Sequence, residues 1–160
     1  MGARAETMAG RFDEKFGQMN TVVEGLSDAD WKKVTAAEKW PVGVVAHHLA
    51  MAYGSVVGLV QLVAQGQSVP HRTMDMVHER NAQHAKEDAG VGKAKTLTLL
   101  KTNGANAVKI VRGLSDAELD RSATVLAGVP PMTTAQVIER ILINHTDEHM
   151  GSIKATIGAK

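Results

Sequence analysis

The chain has 160 residues, 44% of them hydrophobic, enough for one domain with its own core. Its 18 basic and 17 acidic side chains leave a net charge of +1, so nothing in the charge balance calls for a nucleic-acid partner, and none is expected. There is no cysteine, which excludes disulfides, thiolate metal sites and a cysteine nucleophile.

Ala, Leu, Met, Glu and Lys dominate, aromatics are few, and no alternating strand pattern stands out. The first helix is expected over about Ala3–Val23, where Met8, Phe12, Phe16, Met19 and Val23 recur every three or four residues. Gly25 ends it. "GLSDADW" then opens a short helix, with Ser27 as N-cap and Asp30 at the reciprocal capping position. Pro41 suits the first helical position, so the second long helix is placed at about Pro41–Val63. From Trp40 to His71 there is no Asp, Glu, Lys or Arg. Pro41, His47, His48, several glutamines and three early glycines favour a buried bundle helix over a membrane span, and no membrane association is expected. Further helices are placed at about Met74–Glu87 and Lys93–Arg112, separated by Gly90 and Gly92. "GLSDAEL" echoes the earlier cap with Ser115 and Glu118. The echo needs no duplication, since S-D-A-[DE] is simply a good helix start. After the loop "AGVPPMTT" the last helix runs over about Ala135–Ile157, capped by Thr133 or Thr134. No internal boundary divides the chain. The expected fold is all-α, a single domain spanning 1–160: an antiparallel four-helix bundle with short additional helices. The first residues, "MGARAETMAGRFDEKF", hold no apolar leader, so the expected compartment is cytoplasmic.

The chemistry-bearing residues are histidines. In the last helix Ile138, Ile141, Leu142, His145, His149, Ile153 and Ile157 share one stripe. His145 and His149 therefore interrupt the core-facing seam, and residues four apart on a helix can converge on one ion. The string "HTDEH" (145–149) matches the inverted zinc-protease pattern H-x-x-E-H, but the eleven residues after it hold no acidic ligand. The peptidase reading fails, and the third ligand has to come from upstream. His48 shares an apolar face with Val44, Val45, Ala52, Val56 and Leu59, and is the better inward candidate. His47 is turned toward Gly43, Met51, Gly54 and Gly58, a face open to close packing or to solvent. His71, His78 and His84 lie in or beside a polar region and are expected at the surface. Three imidazoles in a small apolar core need partners, and one shared metal satisfies all three; hydrogen-bonded core histidines are the plainer alternative.

The order of "WPVGVVAHHLA" (40–50), "MDMVHERNAQHA" (74–85), "GLSDAELDR" (113–121) and "HTDEHMGSI" (145–153) resembles the DinB-like superfamily. That superfamily, named for DNA-damage-inducible proteins, includes YfiT-like metal-dependent hydrolases. It is related to the N-terminal domain of mycothiol-dependent maleylpyruvate isomerase. The resemblance spans nearly the whole chain. It implies a DinB-like four-helix bundle, often a homodimer, with a three-histidine site for Zn²⁺, Ni²⁺ or a similar ion. By position the ligands are His48, His145 and His149. The isomerase branch carries a carboxylate at the position of His145, so this chain leans to the three-histidine branch. Several relatives are S-transferases that use mycothiol, bacillithiol or glutathione.

The expected function is that of a metal-dependent enzyme that activates water or a low-molecular-weight thiol, as a hydrolase or thiol S-transferase acting on a small molecule. The alternatives are a stress-related metal or small-ligand binder without turnover, and a bundle whose histidines bind nothing. Glu148 is the one catalytic candidate, to orient a histidine or accept a proton, against the plainer reading of a solvated helix-face carboxylate. Tyr53 and Asn81 are pocket candidates by helix position alone.

Overall fold

The structure, a computed structural model, describes residues 2–159. The ends of the expected 1–160 domain, residues 1 and 160, lie outside the described residues. Four long helical runs form the bundle: α1 (Ala3–Glu24), α3 (Val42–Ala64), α5 (Lys93–Arg112), and a last run from Thr134 to Ile157. The last run has three parts: α7 (Thr134–Val137), a π-helical segment (Ile138–Ile143) and α8 (Asn144–Ile157). Short α2 (Asp28–Lys32) and α6 (Asp116–Asp120) precede α3 and the last run, and α4 (Met74–Glu87) flanks α3.

Two features depart from the sequence expectation. A two-residue ladder pairs β1 (Ser122–Ala123) with β2 (Met132–Thr133), antiparallel, across the Pro-rich loop. Pairs this short leave no alternating pattern to find. Pro41 is also the N-cap of α3 and not its first helical residue, because its ψ of 145° is extended. It is held there by a bridge to Val34, while its carbonyl already accepts from the Val44 and Val45 amides.

The caps explain the other boundaries. Ser27 Oγ accepts from the Asp30 amide, but the Asp30 carboxylate turns to Lys33 Nζ at 2.7 Å, so the reciprocal half of that box is missing. Ser115 with Glu118, and Thr133 with Gln136, make complete capping boxes. Thr133 is therefore the cap, and Thr134 is buried.

One continuous core fills the bundle. Phe12, Phe16, Met19 and Val23 of α1 face inward as their spacing requires. Tyr53 of α3 meets Phe12 and Phe16 edge-on, with centroids at 5.1 and 6.0 Å. Its hydroxyl pairs with Thr146 Oγ1 at 3.1 Å, so Tyr53 is a core residue and not the pocket donor considered above. Two glycines set close approaches. A Cβ at Gly104 of α5 would collide with the Phe16 ring, and one at Gly43 of α3 with the Trp31 indole. Among the described residues α3 is the one helix long and apolar enough to cross a membrane, and most of it is buried against the other helices.

Candidate metal centre

Two helices converge to bring three histidines together. α3 brings His48, and the first turns of α8 bring His145 and His149. A ligand atom from each lies within 4.8 Å of the other two. The His48 ring stands 5.4 Å from His145 and 5.1 Å from His149, nearly perpendicular to both. His145 Nε2 and His149 Nε2 are 2.7 Å apart. The three residues singled out in the sequence thus meet in space.

A fourth participant was not foreseen. Glu38 lies between α2 and α3, in a turn closed by Thr35 N–H bonding the Trp40 carbonyl and by the bridge from Val34 to Pro41. Glu38 Oε1 accepts from His149 Nδ1 at 2.8 Å, and Oε2 accepts from Ser152 Oγ at 2.6 Å. Burial works against the Glu38 charge, but bonds from Ser152, Thr35 and His149 outweigh it and hold its pKa below the ordinary value. A carboxylate on Nδ1 fixes the His149 tautomer and leaves the Nε2 lone pair free to ligate. "TAAEKW" carries no signal for this role, because the contact spans 111 residues and depends on the turn alone.

Electrostatics keep the His48 and His145 imidazoles neutral. Burial, then the neighbouring His149, His145 and His84, push His48 down to about 3. Burial and His149 push His145 down to about 4, against a small opposing effect of the Ile141 carbonyl. Neutral imidazole is the ligating form, so the donor set fits a divalent ion of the zinc or nickel type. Trp40 packs edge-on against His48 at 5.5 Å and walls the site.

The π-helical segment comes immediately before the histidines. Residues 138, 142, 143, 146, 150 and 153 are buried, while His145 and His149 are half-buried at the edge of the core. The wider turn shifts the stripe, and such turns occur often at functional sites.

The histidines open into a cavity of about 830 Å³. His48, His84 and His145 line one end, Met51, Leu62 and Met76 are among its apolar walls, and Arg72, Arg80, Arg140, Asn81 and Glu148 supply its polar groups. Burial and then the Arg80 charge lower the Arg72 pKa. Glu148 points to this space from an exposed helix position and touches no histidine nitrogen within hydrogen-bond reach.

His84 corrects the sequence reading, and His47 takes the packed one of the two alternatives its face allowed. His47 is buried, with 5% of its surface exposed, so both members of the His47-His48 pair face inward, in different directions. His84 is half-buried and not a surface residue. Its Nε2 lies 2.7 Å from His47 Nδ1, and the two ring planes are within 2° of parallel. Asp88 Oδ2 stands 3.5 Å from His84 Nε2 and 4.0 Å from His47 Nδ1. Burial pushes both histidines down, against the Asp88 charge. Apart from Met74, Met76 and Val77 in its first turn, α4 holds only polar residues and alanine, which gave no reason to place His84 inward, while His71 and His78 are exposed as expected.

The profile of the mycothiol maleylpyruvate isomerase N-terminal domain matches residues 12–143. The chain belongs to that family. Two solved structures share the fold of this chain. One is YfiT from Bacillus subtilis, described as a probable metal-dependent hydrolase with an unusual four-helix bundle topology. It superposes with a TM-score of 0.73 at 16% identity, covering 100% of this chain and 91% of YfiT. The other is a histidine-to-alanine mutant of the mycothiol-dependent maleylpyruvate isomerase, with a TM-score of 0.74 at 11% identity. The match covers 100% of this chain and 65% of that longer one. No curated protein matches the sequence. The DinB-like, all-α four-helix bundle expected from the motifs is thus the observed fold.

Proposed function

We propose that this domain is a metal-dependent enzyme in which His48, His145 and His149 hold a divalent ion and the adjoining cavity receives a small anionic electrophile. The observation that carries this reading is the meeting of three imidazoles with the Glu38 carboxylate behind one of them. An ion held by three imidazoles keeps a position open, where it lowers the pKa of water or a thiol toward neutrality.

This chain's own residues define the rest. Glu38 orients His149. The Arg72, Arg80 and Arg140 guanidiniums give the cavity a cationic wall that suits a carboxylate-bearing substrate, and the methionines and leucines hold its apolar part. Glu148, which lines the same cavity, would accept the proton released by the nucleophile. The chain has no cysteine, so a thiol nucleophile would come from a small molecule. The family's mycothiol-using namesake supports thiol transfer, and the description of YfiT supports hydrolysis.

The test loads purified protein with Zn²⁺ or Ni²⁺. It offers mycothiol, bacillithiol or glutathione with an unsaturated dicarboxylate, and separately an anionic aryl ester. Ion-dependent loss of free thiol or release of the aryl alcohol, abolished in His149→Ala, is the expected result. Ion binding lost in His149→Ala but with neither reaction would replace the enzyme by a binding protein.

A further inference from the structure

We propose that His47, His84 and Asp88 form a second divalent-metal site, which staples α4 to α3 and so fixes one wall of the cavity. The proposal stands apart from the three-histidine site and needs none of its residues.

Three donors from two elements meet here. His47 Nδ1 comes from α3, His84 Nε2 from the last turn of α4, and Asp88 Oδ2 from the residue that caps α4. All lie within 4.8 Å of one another. Zinc–nitrogen and zinc–oxygen bonds of ~2.0–2.1 Å in a tetrahedron put ligand atoms about 3.3 Å apart. The His84–Asp88 distance of 3.5 Å is near that value, while the His47–Asp88 distance of 4.0 Å has to shorten by about 0.7 Å. The nitrogen pair, drawn to 2.7 Å by an N–H···N bond, has to widen by about 0.6 Å, within the reach of small χ rotations. The same 2.7 Å contact joins His145 and His149 in the first site. Two imidazoles and one carboxylate are a usual set for zinc and its first-row neighbours. Asp88 is partly exposed, which leaves a path of entry.

The second observation concerns α4. It contributes no buried residue, and its main packing partner is α3. Yet Met74, Met76, Val77, Arg80, Asn81 and His84 of this helix form a wall of the cavity. Apolar burial does not explain how so polar a helix is held in place. His84 is its deepest anchor, resting on His47 and, with centroids 6.3 Å apart, on Trp40. An ion across His47, His84 and Asp88 would supply that anchor.

The experiment titrates Zn²⁺ into metal-stripped full-length protein, reads stoichiometry by elemental analysis after dialysis, and follows amide hydrogen exchange in residues 74–88. Wild type is expected to hold two ions per chain, with His149→Ala, His84→Ala and Asp88→Asn each holding one. Exchange in α4 should slow on Zn²⁺ addition in wild type and His149→Ala, but not in Asp88→Asn. Asp88 is at a partly exposed helix end, so its isosteric replacement tests the site without removing core packing. Asp88→Asn and His84→Ala that keep the wild-type stoichiometry and the slowed exchange would overturn the proposal. One ion per chain, lost in His149→Ala and kept in Asp88→Asn, would also overturn it while leaving the three-histidine site standing. One ion lost in Asp88→Asn but kept in His149→Ala would uphold this site and remove the other.

Discussion

At the scale of the residue, the site depends on keeping imidazoles neutral inside a bundle. His48 and His145 have folded pKa values pushed down to about 3 and about 4, against an ordinary value of 6.5. Between those values and 6.5 the unfolded chain binds more protons than the folded one, so stability rises with pH across that window. The metal-stripped protein should therefore lose stability as pH falls from about 6.5 toward 4, and His48→Gln should flatten that limb. Urea midpoints at several pH values decide it; parallel curves for wild type and variant would show that His48 is not the titrating group. Glu38 permits a second test. Glu38→Gln keeps a hydrogen-bond acceptor but loses the charge on His149 Nδ1, and should weaken Zn²⁺ binding by about 10–100-fold. Competition with a chromophoric chelator measures this, and an unchanged affinity would show that the carboxylate plays no part.

At the scale of the element, each helix is held by few contacts that matter. Gly43 sits beneath Trp31, whose indole N–H donates to the Val91 carbonyl at 2.9 Å, tying α2, α3 and the turn before α5 together. Gly43→Ala should destabilise by about 1–3 kcal/mol through overpacking, read as a lower urea midpoint with an unchanged slope. An Ala tolerated at no cost would mean that Trp31 moves freely. The capping box of α6 should be worth less. Ser115→Ala removes the acceptor for the Glu118 amide and the partner of its carboxylate, at about 1 kcal/mol. The π-helical segment lies just ahead of His145, so the histidines depend on a local turn as well as on the four-residue spacing.

For the whole molecule, ligand binding and folding are linked. An ion held only by the folded chain at a thousand times its Kd adds about 4 kcal/mol of stability. For a domain of this size each kcal/mol raises Tm by about 2–4 °C, so each site filled with Zn²⁺ at that excess should raise Tm by roughly 8–16 °C. Differential scanning fluorimetry with and without chelator tests this. An unchanged Tm in wild type would remove the metal reading of both clusters.

What the sequence by itself determined was local and periodic. The stripe of α1, the limits of α4 and α5, the two short capped helices and the i,i+4 pair His145–His149 all follow from residue spacing and from Gly, Pro, Ser and Thr at the ends. His48 was legible for the same reason, as a polar residue on an apolar face. Only the tertiary structure decided the rest. Glu38 reaches His149 across 111 residues, and His84 reaches His47 across 37. No spacing rule covers contacts of that range. His84 gave no sign because α4 after Val77 holds only polar residues and alanine, so its inward face is chosen by packing against α3 and not by its own pattern. The helices were written in nearest-neighbour chemistry, whereas the second halves of both histidine clusters exist only because the bundle brings distant segments together.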